Sequence, residues 1–563
     1  MPLHYRIFLF QLLLFISVAG QPVLAQGKRY IIDSLTTTVD GALAPYNKVA
    51  PGDTLLFEHG RRDFLLIRNF EGTPENPIIM MNSGGVVLFN TDHYYGISIR
   101  KCRHFRFTGT GDTAHFYGFM VTRVGNGGGF GIGEMSSDFE IDHISIENCK
   151  GVGVSAKTDP DCSFLSTRDK FTQFNTLIHD NYIADVSFEG LYIGSTKYFG
   201  QIVQCAGRDT LLLPSLLNGV KIFNNIIRYT GWDGLQVSSA SSNCQIFNNL
   251  IMYDSQEQSQ NQMSGILIGG GSKCDCYNNS ISDGMGNGIE SHGLGGYRIF
   301  NNIILNAGKM FLPGDSSDMK YGIFVTDVTV IQDSSFHILF NDIINPKSDG
   351  IRFSSNHSRN SLIASNVIIN PGNFDYYEHG HTGFKGKDAY IMIPDAGSSV
   401  DIRNNYLART PDSAGFSSFN HTLLPNSPLI DAGCTDSKGV TIDYFYHNRL
   451  YGSNFDIGAH EFDPAYLGIL FNRETNESKV DLFPNPAEHS FTIRFQLWQQ
   501  LRITFSIFDS RGNLKGTWDW GIMNSGIQGR TIDIHELPEG IYLYTIRAGN
   551  QNQSGRFIKR NSK

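Results

Sequence analysis

The chain is short of charge and of long apolar stretches. Only 18% of its 563 residues are Asp, Glu, Lys or Arg, and 54 acidic against 45 basic residues leave a net charge of −9. No basic run and no cluster of aromatic and basic residues offsets that balance, which argues against a nucleic-acid partner. Beyond residue 25 no stretch is apolar for long enough to span a bilayer. No segment sustains a helical period, so a bundle or an α/β layer fold is disfavoured. The Gly-rich loop Gly125–Gly129 lacks the Lys-Ser/Thr that a phosphate-binding loop needs, and reads as a coil insertion.

What the chain does have is repetition. KIFNNII (221–227), QIFNNLI (245–251) and RIFNNII (298–304) are near copies, and looser copies occur from LIHDNYI (177–183) to DIRNNYL (401–407). The second polar position of each copy is Asn: Asn181, Asn225, Asn249, Asn279, Asn302, Asn341, Asn366 and Asn405. Their intervals are 44, 24, 30, 23, 39, 25 and 39 residues, a near-constant minimum plus insertions. That is the signature of a solenoid with one unit per turn and loops added on some turns. A second signature follows each copy: GLYIG (190–194), GLQVS (234–238), GILIG (265–269), GIESH (288–292), GIFVT (322–326) and GIRFS (350–354). Short β-branched runs broken by Asn and Gly predict stacked parallel strands about 4.8 Å apart. An Asn repeated at one bend can hydrogen-bond along its own column.

The pattern resembles the right-handed parallel β-helix family of pectate lyases and related polysaccharide lyases, over roughly residues 40–462. PGDTLLFE followed by GTPENPI (51–78) is similar to the opening coils of secreted members. SPLIDAG (427–433) and DIGAHEF (456–462) are similar to a closing segment, expected to cover the last coil. The fold expected is therefore all-β: a right-handed parallel β-helix solenoid over 26–462, a linker at 463–478 and a small antiparallel β-sandwich at 479–563. Residues 1–25 read as a signal peptide, with an apolar run from Ile7 to Ala19 and small residues around Ala25. FPNPA, then GNL, then LPEGIYLYTI with Lys559-Arg560 resembles the C-terminal sorting domain of the type IX secretion system. The resemblance implies export to the cell surface or medium, recognition by the translocon, and processing by a sortase.

The 8 Cys, all beyond residue 25, permit disulfides in an exported chain. Cys244 and Cys274 each stand five residues before a ladder Asn, on adjacent coils. A bond between them and stacked free thiols both remain open, and Cys274-Asp275-Cys276 reads as core filling.

In the resembled family the substrate groove runs along the outward face of the first sheet. Alternation then gives an outward column of Tyr192, Gln236, Leu267, Glu290, Phe324 and Arg352. Glu290 and His292, two apart, break an otherwise apolar, Gly and Ser pattern. Trp232, Asp233, Lys197, Lys273 and Lys320 stand beside these columns. A lyase on an acidic polysaccharide needs a base, an acid for the leaving oxygen and a cation for the substrate carboxylate. His292 or Lys273 would be the base, Arg352 would hold the carboxylate, and Asp233 with Glu290 would hold Ca²⁺. Tyr192, Trp232, Gln236 and Phe324 would bind sugar. A hydrolase would instead use Glu290 and Asp233 as paired carboxylates. Elimination is favoured over hydrolysis, although the paired-Asp and Gly-His-Gly blocks of polygalacturonases are absent. So is the Lys that follows the strand Glu in chondroitinase-B-like and alginate lyases. The alternative is a non-catalytic glycan-binding protein or adhesin; Glu290, His292 and a third charged group converging would favour the enzyme. A monomer with a polysaccharide partner is expected.

Overall fold

A computed structural model describes residues 27–112, 115–308, 319–372, 390–395, 397–416, 423–462, 480–497, 501–509, 513–523, 526–548 and 551–560. The expected signal peptide and the 463–478 linker lie outside the described residues. From Arg29 to Ala408 the chain winds as a right-handed parallel β-helix. One face is a 12-stranded parallel sheet, hereafter the first sheet, which includes Leu191–Ile193, Leu235–Val237, Ser264–Ile268, Asn287–Ser291, Ile323–Thr326 and Ile351–Ser354. The other two faces form one continuous 24-stranded sheet bent at the Asn pairs.

The repeat motif explains each bend. The first residue of the polar pair takes the left-handed backbone that Asn and Asp tolerate, with φ 55° at Asn224, 56° at Asn248, 54° at Asn278 and 54° at Asn301. The second is the ladder. Asn181 Nδ2 donates to Asn225 Oδ1 at 3.0 Å, and the chain of amides runs unbroken through Asn249, Asn279, Asn302, Asn341 and Asn366 to Asn405. The backbone N–H of each ladder Asn up to Asn366 donates to the same oxygen, so buried polar groups at the bends are paired. Beside the ladder, Phe223, Phe247, Tyr277 and Phe300 stack with ring centroids 4.8–5.0 Å apart.

The Gly of the second signature has a steric cause. A Cβ at Gly190, Gly234, Gly265, Gly288, Gly322 or Gly350 would come within 2.3–2.6 Å of an Ile Cγ2 from the next coil (Ile227, Ile251, Ile281, Ile304, Ile343 and Ile368). These isoleucines, with Ile222, Ile246, Ile299 and Ile338, fill the solenoid core.

Cys244 and Cys274 are bonded, with Cα atoms 4.4 Å apart, which resolves the alternatives left by their spacing. Cys162 and Cys205 form a second disulfide between two loops that follow first-sheet strands. Cys102, Cys149, Cys276 and Cys434 are buried free thiols.

The closing segment does more than cover the last coil. It meets that coil through Asn404 Nδ2, which donates to Ala432 O, and then runs back along the flank of the rod. Asn278 Nδ2 reaches Tyr444 O, Asn301 Nδ2 reaches Ile442 O, and Arg449 lies buried against the Phe340 ring. Its apolar residues Leu423, Leu429 and Ile457 find their buried surface there, against Ile344, Val367 and Ile369.

The C-terminal residues form two antiparallel sheets of three and four strands around Phe491, Ile493, Phe505, Ile507, Tyr544 and Phe557. The turn at Pro538–Gly540 passes the chain from one sheet to the other; the turn at 510–512 lies outside the described residues.

Candidate functional site

The first-sheet register aligns Tyr192, Gln236, Leu267, Glu290, Phe324 and Arg352 as one column, as the alternation predicted. Its centre is Glu290. The side chain is only 17% exposed and is held by three donors. Ser264 Oγ and Asn287 Nδ2 donate to Oε2 at 2.8 and 2.7 Å, and His292 Nε2 lies 2.7 Å from Oε1. Asn287 is itself oriented, since Tyr321 N donates to its Oδ1. Burial opposes ionisation of Glu290, but the hydrogen bond and charge of His292, with Ser264 and Asn287, outweigh it. The carboxyl is held below its ordinary range. His292 is 27% exposed, and its own backbone oxygen accepts from Thr329 Oγ1.

Asp233 behaves in the opposite way. It is fully buried, and burial, reinforced by Glu290, Glu189 and Asp254, pushes its carboxyl well above the ordinary range. Gly234 N donates to Ser264 O, so the residue that carries Glu290 Oε2 is the neighbour of Asp233 one coil along. Glu189 occupies the same position one coil earlier, and burial raises it too. Between the two stands Gln262. With its amide oriented to donate, the nitrogen lies 3.2 Å from Glu189 Oε1 and 3.2 Å from Asp233 Oδ2. Those oxygens are therefore no more than twice that distance apart. Asp254, behind Asp233, is pushed up to about 6 by burial. Around this group several buried atoms have no hydrogen-bond partner: Glu189 Oε2, Asp233 Oδ1, both amide atoms of Gln236, and Ser238 Oγ.

The remaining expected residues divide. Gln236 lies in the column but is 1% exposed, and Leu267 beside it is also buried, so the outward face is roofed at these coils rather than open. Tyr192 is half-buried, its ring 4.9 Å from Lys157 Nζ. Trp232 stacks on Phe188 at 4.2 Å, which occupies one of its faces. Phe324 packs on Tyr321, and Arg352 is tied to Asp349 at 3.0 Å on the coil beyond Phe324. Lys273 is not part of the group. It lines a separate polar groove of about 640 Å³ with Lys221, Asn243 and Asp275, because it stands past the turn that ends the first sheet. Its assignment as base is therefore corrected: His292 alone stands on Glu290. Glu189, Ser264, Asn287 and Gln262 were missed. The first three precede or open the Gly signature in the same column as Asp233, a signal that was present in the alignment of the repeats; Gln262 comes from an insertion and had none.

The Ca²⁺ expected at Asp233 and Glu290 does not fit this arrangement. Both oxygens of Glu290 already face hydrogen-bond donors, and burial among Glu290, Glu189 and Asp254 opposes the charge on Asp233 that a cation would need. Among the described residues one group of ligand atoms is close enough together for a metal: Glu140, Asp142 and His179, on the 24-stranded sheet. Arg106 already lies in it, 3.0 Å from Glu140 and 2.7 Å from Asp142.

Residues 481–560 match the family model described as the secretion system C-terminal sorting domain. The C-terminal sandwich is a type IX secretion sorting domain. This sorting domain marks the chain for export to the cell surface or the medium through the type IX machinery. No helix among the described residues is long and apolar enough to cross a membrane. No curated protein sequence matches the chain. Among solved structures it is similar to an alginate lyase from Paenibacillus sp. str. FPU-7 (12% identity, 59% of this chain and 99% of that one, TM-score 0.36). It is also similar to a lacto-N-biosidase from Eubacterium ramulus (13%, 68% of each chain, TM-score 0.45). A third is tailspike protein 2 of the Escherichia coli O157:H7 bacteriophage CAB120 (10%, 90% and 64%, TM-score 0.39). These likenesses concern the fold alone.

Proposed function

We propose that the exported β-helix cleaves a polysaccharide lying over the first sheet, with Asp233 as general acid and Glu290, steadied by His292, as the base or nucleophile. The observation that carries this reading is the divergence of two neighbouring carboxyl groups. Burial among like charges raises the first, while the second, although burial opposes its charge, is lowered by His292, Ser264 and Asn287. Such a pair supplies an acid and a base at one pH. Hydrolysis of a glycosidic bond needs those two groups and no cation. Asp233 protonates the departing glycosidic oxygen, and Glu290 takes the proton of the attacking water or attacks the sugar carbon itself. The sorting domain would bring the rod to the outer-membrane translocon, and a sortase would then remove it.

Elimination on an acidic polysaccharide is the second reading. It is favoured by His292, whose Nε2 is held by Glu290 and whose ring is part-exposed, and by Arg352 two coils further along the column. A non-catalytic glycan binder is the third. One experiment separates them: the exported protein is incubated with neutral and uronate polymers, while reducing ends and absorbance of unsaturated uronate are followed together. New reducing ends without unsaturated product, lost in Glu290→Ala, support hydrolysis. Unsaturated product overturns it in favour of elimination, and retention of a polymer without cleavage overturns both.

A further inference from the structure

We infer that the buried polar group beside Glu290, once Gln262 leaves it, forms a pocket for a neutral, hydroxyl-rich sugar ring recognised by Gln236, Ser238 and Glu189, and that Gln262 stands in that ring's place in the free protein. Only the choice of Glu290 as the reacting group rests on the reading above; the pocket's chemistry does not.

The orphaned atoms define the ligand. A buried polar atom without a partner is costly, so a group of them gathered on adjacent coils marks a place where something else can pair with them. Gln236 offers one donor and one acceptor side by side, Ser238 a hydroxyl that can do both, and Glu189 and Asp233 one free carboxyl oxygen each. All four residues are more than nine-tenths buried. A complementary ligand must present donors and acceptors a few ångströms apart and carry no charge, which describes the adjacent hydroxyls of a pyranose. Acidic sugars do not suit the site: a uronate would add a charge to a buried group of Glu189, Asp233 and Asp254 where burial already opposes ionisation, and the nearby Lys157 is paired with Asp159 at 2.9 Å. A uronate carboxylate would be set against ionised Glu290.

With its amide oriented to donate, Gln262 makes the bonds such a ring would make, reaching Glu189 Oε1 and Asp233 Oδ2 at once. It comes from a loop that can yield. Ser255 and Gln258 take left-handed φ of 63° and 50°, a conformation disfavoured for such side chains. Its base is tied to the neighbouring coil by Ser255 N to Trp232 O, Gln256 N to Thr230 O and Glu257 N to Gly231 O, whereas the tip is tied to itself through Gln258 N to Ser255 O and Gln262 N to Ser259 O, with Gln258 Nε2 reaching Met285 Sδ. Lifting it uncovers both carboxyl groups.

The test is calorimetry on the full exported chain carrying Glu290→Gln, so that binding is read without cleavage. The probes are cellotetraose, xylotetraose, mannotetraose and chitotetraose against tetragalacturonate and tetramannuronate. A neutral tetramer should bind and the uronates should not. Gln236→Leu should weaken that binding by about tenfold or more, as when a site's polar groups lose their partner. Gln262→Ala should tighten it by about threefold, because an internal competitor is removed. A uronate binding as tightly as the best neutral tetramer, no neutral binder in the panel, or unchanged affinity in Gln236→Leu would overturn the pocket. Should Gln236→Leu fail to fold, Gln262→Ala decides alone, since a merely damaged protein does not bind more tightly; unchanged or weaker binding there overturns it. Cleavage of a uronate polymer that depends on Glu290 would discard the pocket and keep the acid–base machinery. Neutral binding without cleavage would do the reverse.

Discussion

Arg106, Glu140, Asp142 and His179 are as dense in ionisable groups as Glu189, Asp233 and Glu290, and both clusters stand on adjacent coils of the same rod. Their construction is opposite. In the first, each charge has a partner: Asp142 accepts from Arg106, Thr108 and His143, and His179 lies between Asp180 and Glu140. Burial opposes the charge on Asp142, yet these bonds pull it down to about 2; burial likewise opposes the charge on His179, yet its two carboxylates lift it to about 9. In the second, Asp233 and Glu189 are buried beside like charges, and atoms are left without partners. The closeness of ligand-type side chains singles out the first cluster; uncompensated polarity singles out the second. The proposed function goes with the second, where Glu189, Asp233 and Gln236 keep polar atoms that the protein leaves unpaired.

That contrast breaks if the two clusters respond alike to substitution. The largest effect expected is Glu290→Ala, which should lower cleavage about a thousandfold, within the range for a lost acid–base group, while thermal unfolding shifts little. A fall in melting temperature with no loss of turnover would make Glu290 structural. Asp142→Ala should do the converse. It leaves turnover intact and costs about 3 kcal/mol in denaturant unfolding, the low end for a broken buried pair because Arg106 is itself part-exposed. Asp233→Asn should lower turnover of the natural polymer about a hundredfold but much less on an aryl glycoside, whose leaving group needs no proton. Equal losses on both substrates would remove Asp233 as the acid. The alkaline limb of the wild-type profile should vanish in that variant, since activity is lost where Asp233 gives up its proton.

The smallest effect is a matter of pH. His179 is raised in the folded state, so its contribution is complete below an ordinary histidine pKa of about 6.5 and is lost as pH rises through about 9. His179→Gln should therefore be less stable than wild type at pH 6 and indistinguishable from it at pH 10. The Asp142 contribution runs the other way: it is present above about 4 and lost as pH falls through about 2. A His179 variant equally destabilised at both ends would mean that the ring acts by packing on Phe223, 4.4 Å away, and not by charge.

Periodicity decided what could be read in the sequence. The Asn ladder, the core isoleucines and the register from Tyr192 to Arg352 repeat once per coil, so each copy supports the others. Glu290 and His292 stood out because they interrupt that repeat. The entry of Gln262 comes from an insertion between coils, which follows no period, and the loss of Lys273 from the group comes from its place past the turn that ends the first sheet. The backward fold of the Glu290 side chain onto Ser264 and Asn287 depends on hydrogen bonds that no alternation rule encodes. The closing segment lay beyond reach for the same reason: its contacts with Asn278 and Asn301 span more than a hundred residues.

The backward course of that segment bears on how the molecule assembles. Within the rod each strand's partner lies between 23 and 44 residues along the chain, from Cys276 with Ile299 to Thr172 with Leu216. Such pairings close small loops, so coils can nucleate anywhere and zip outward at little entropic cost. Asn278 and Tyr444 are 166 residues apart, and their bond needs an already finished surface to land on. Assembly therefore has a fixed order, with the rod first and the strap from residue 423 to 462 last. Arg449, buried in that strap against Phe340, reports the final event, and a slow phase visible only in probes near it would be the signature.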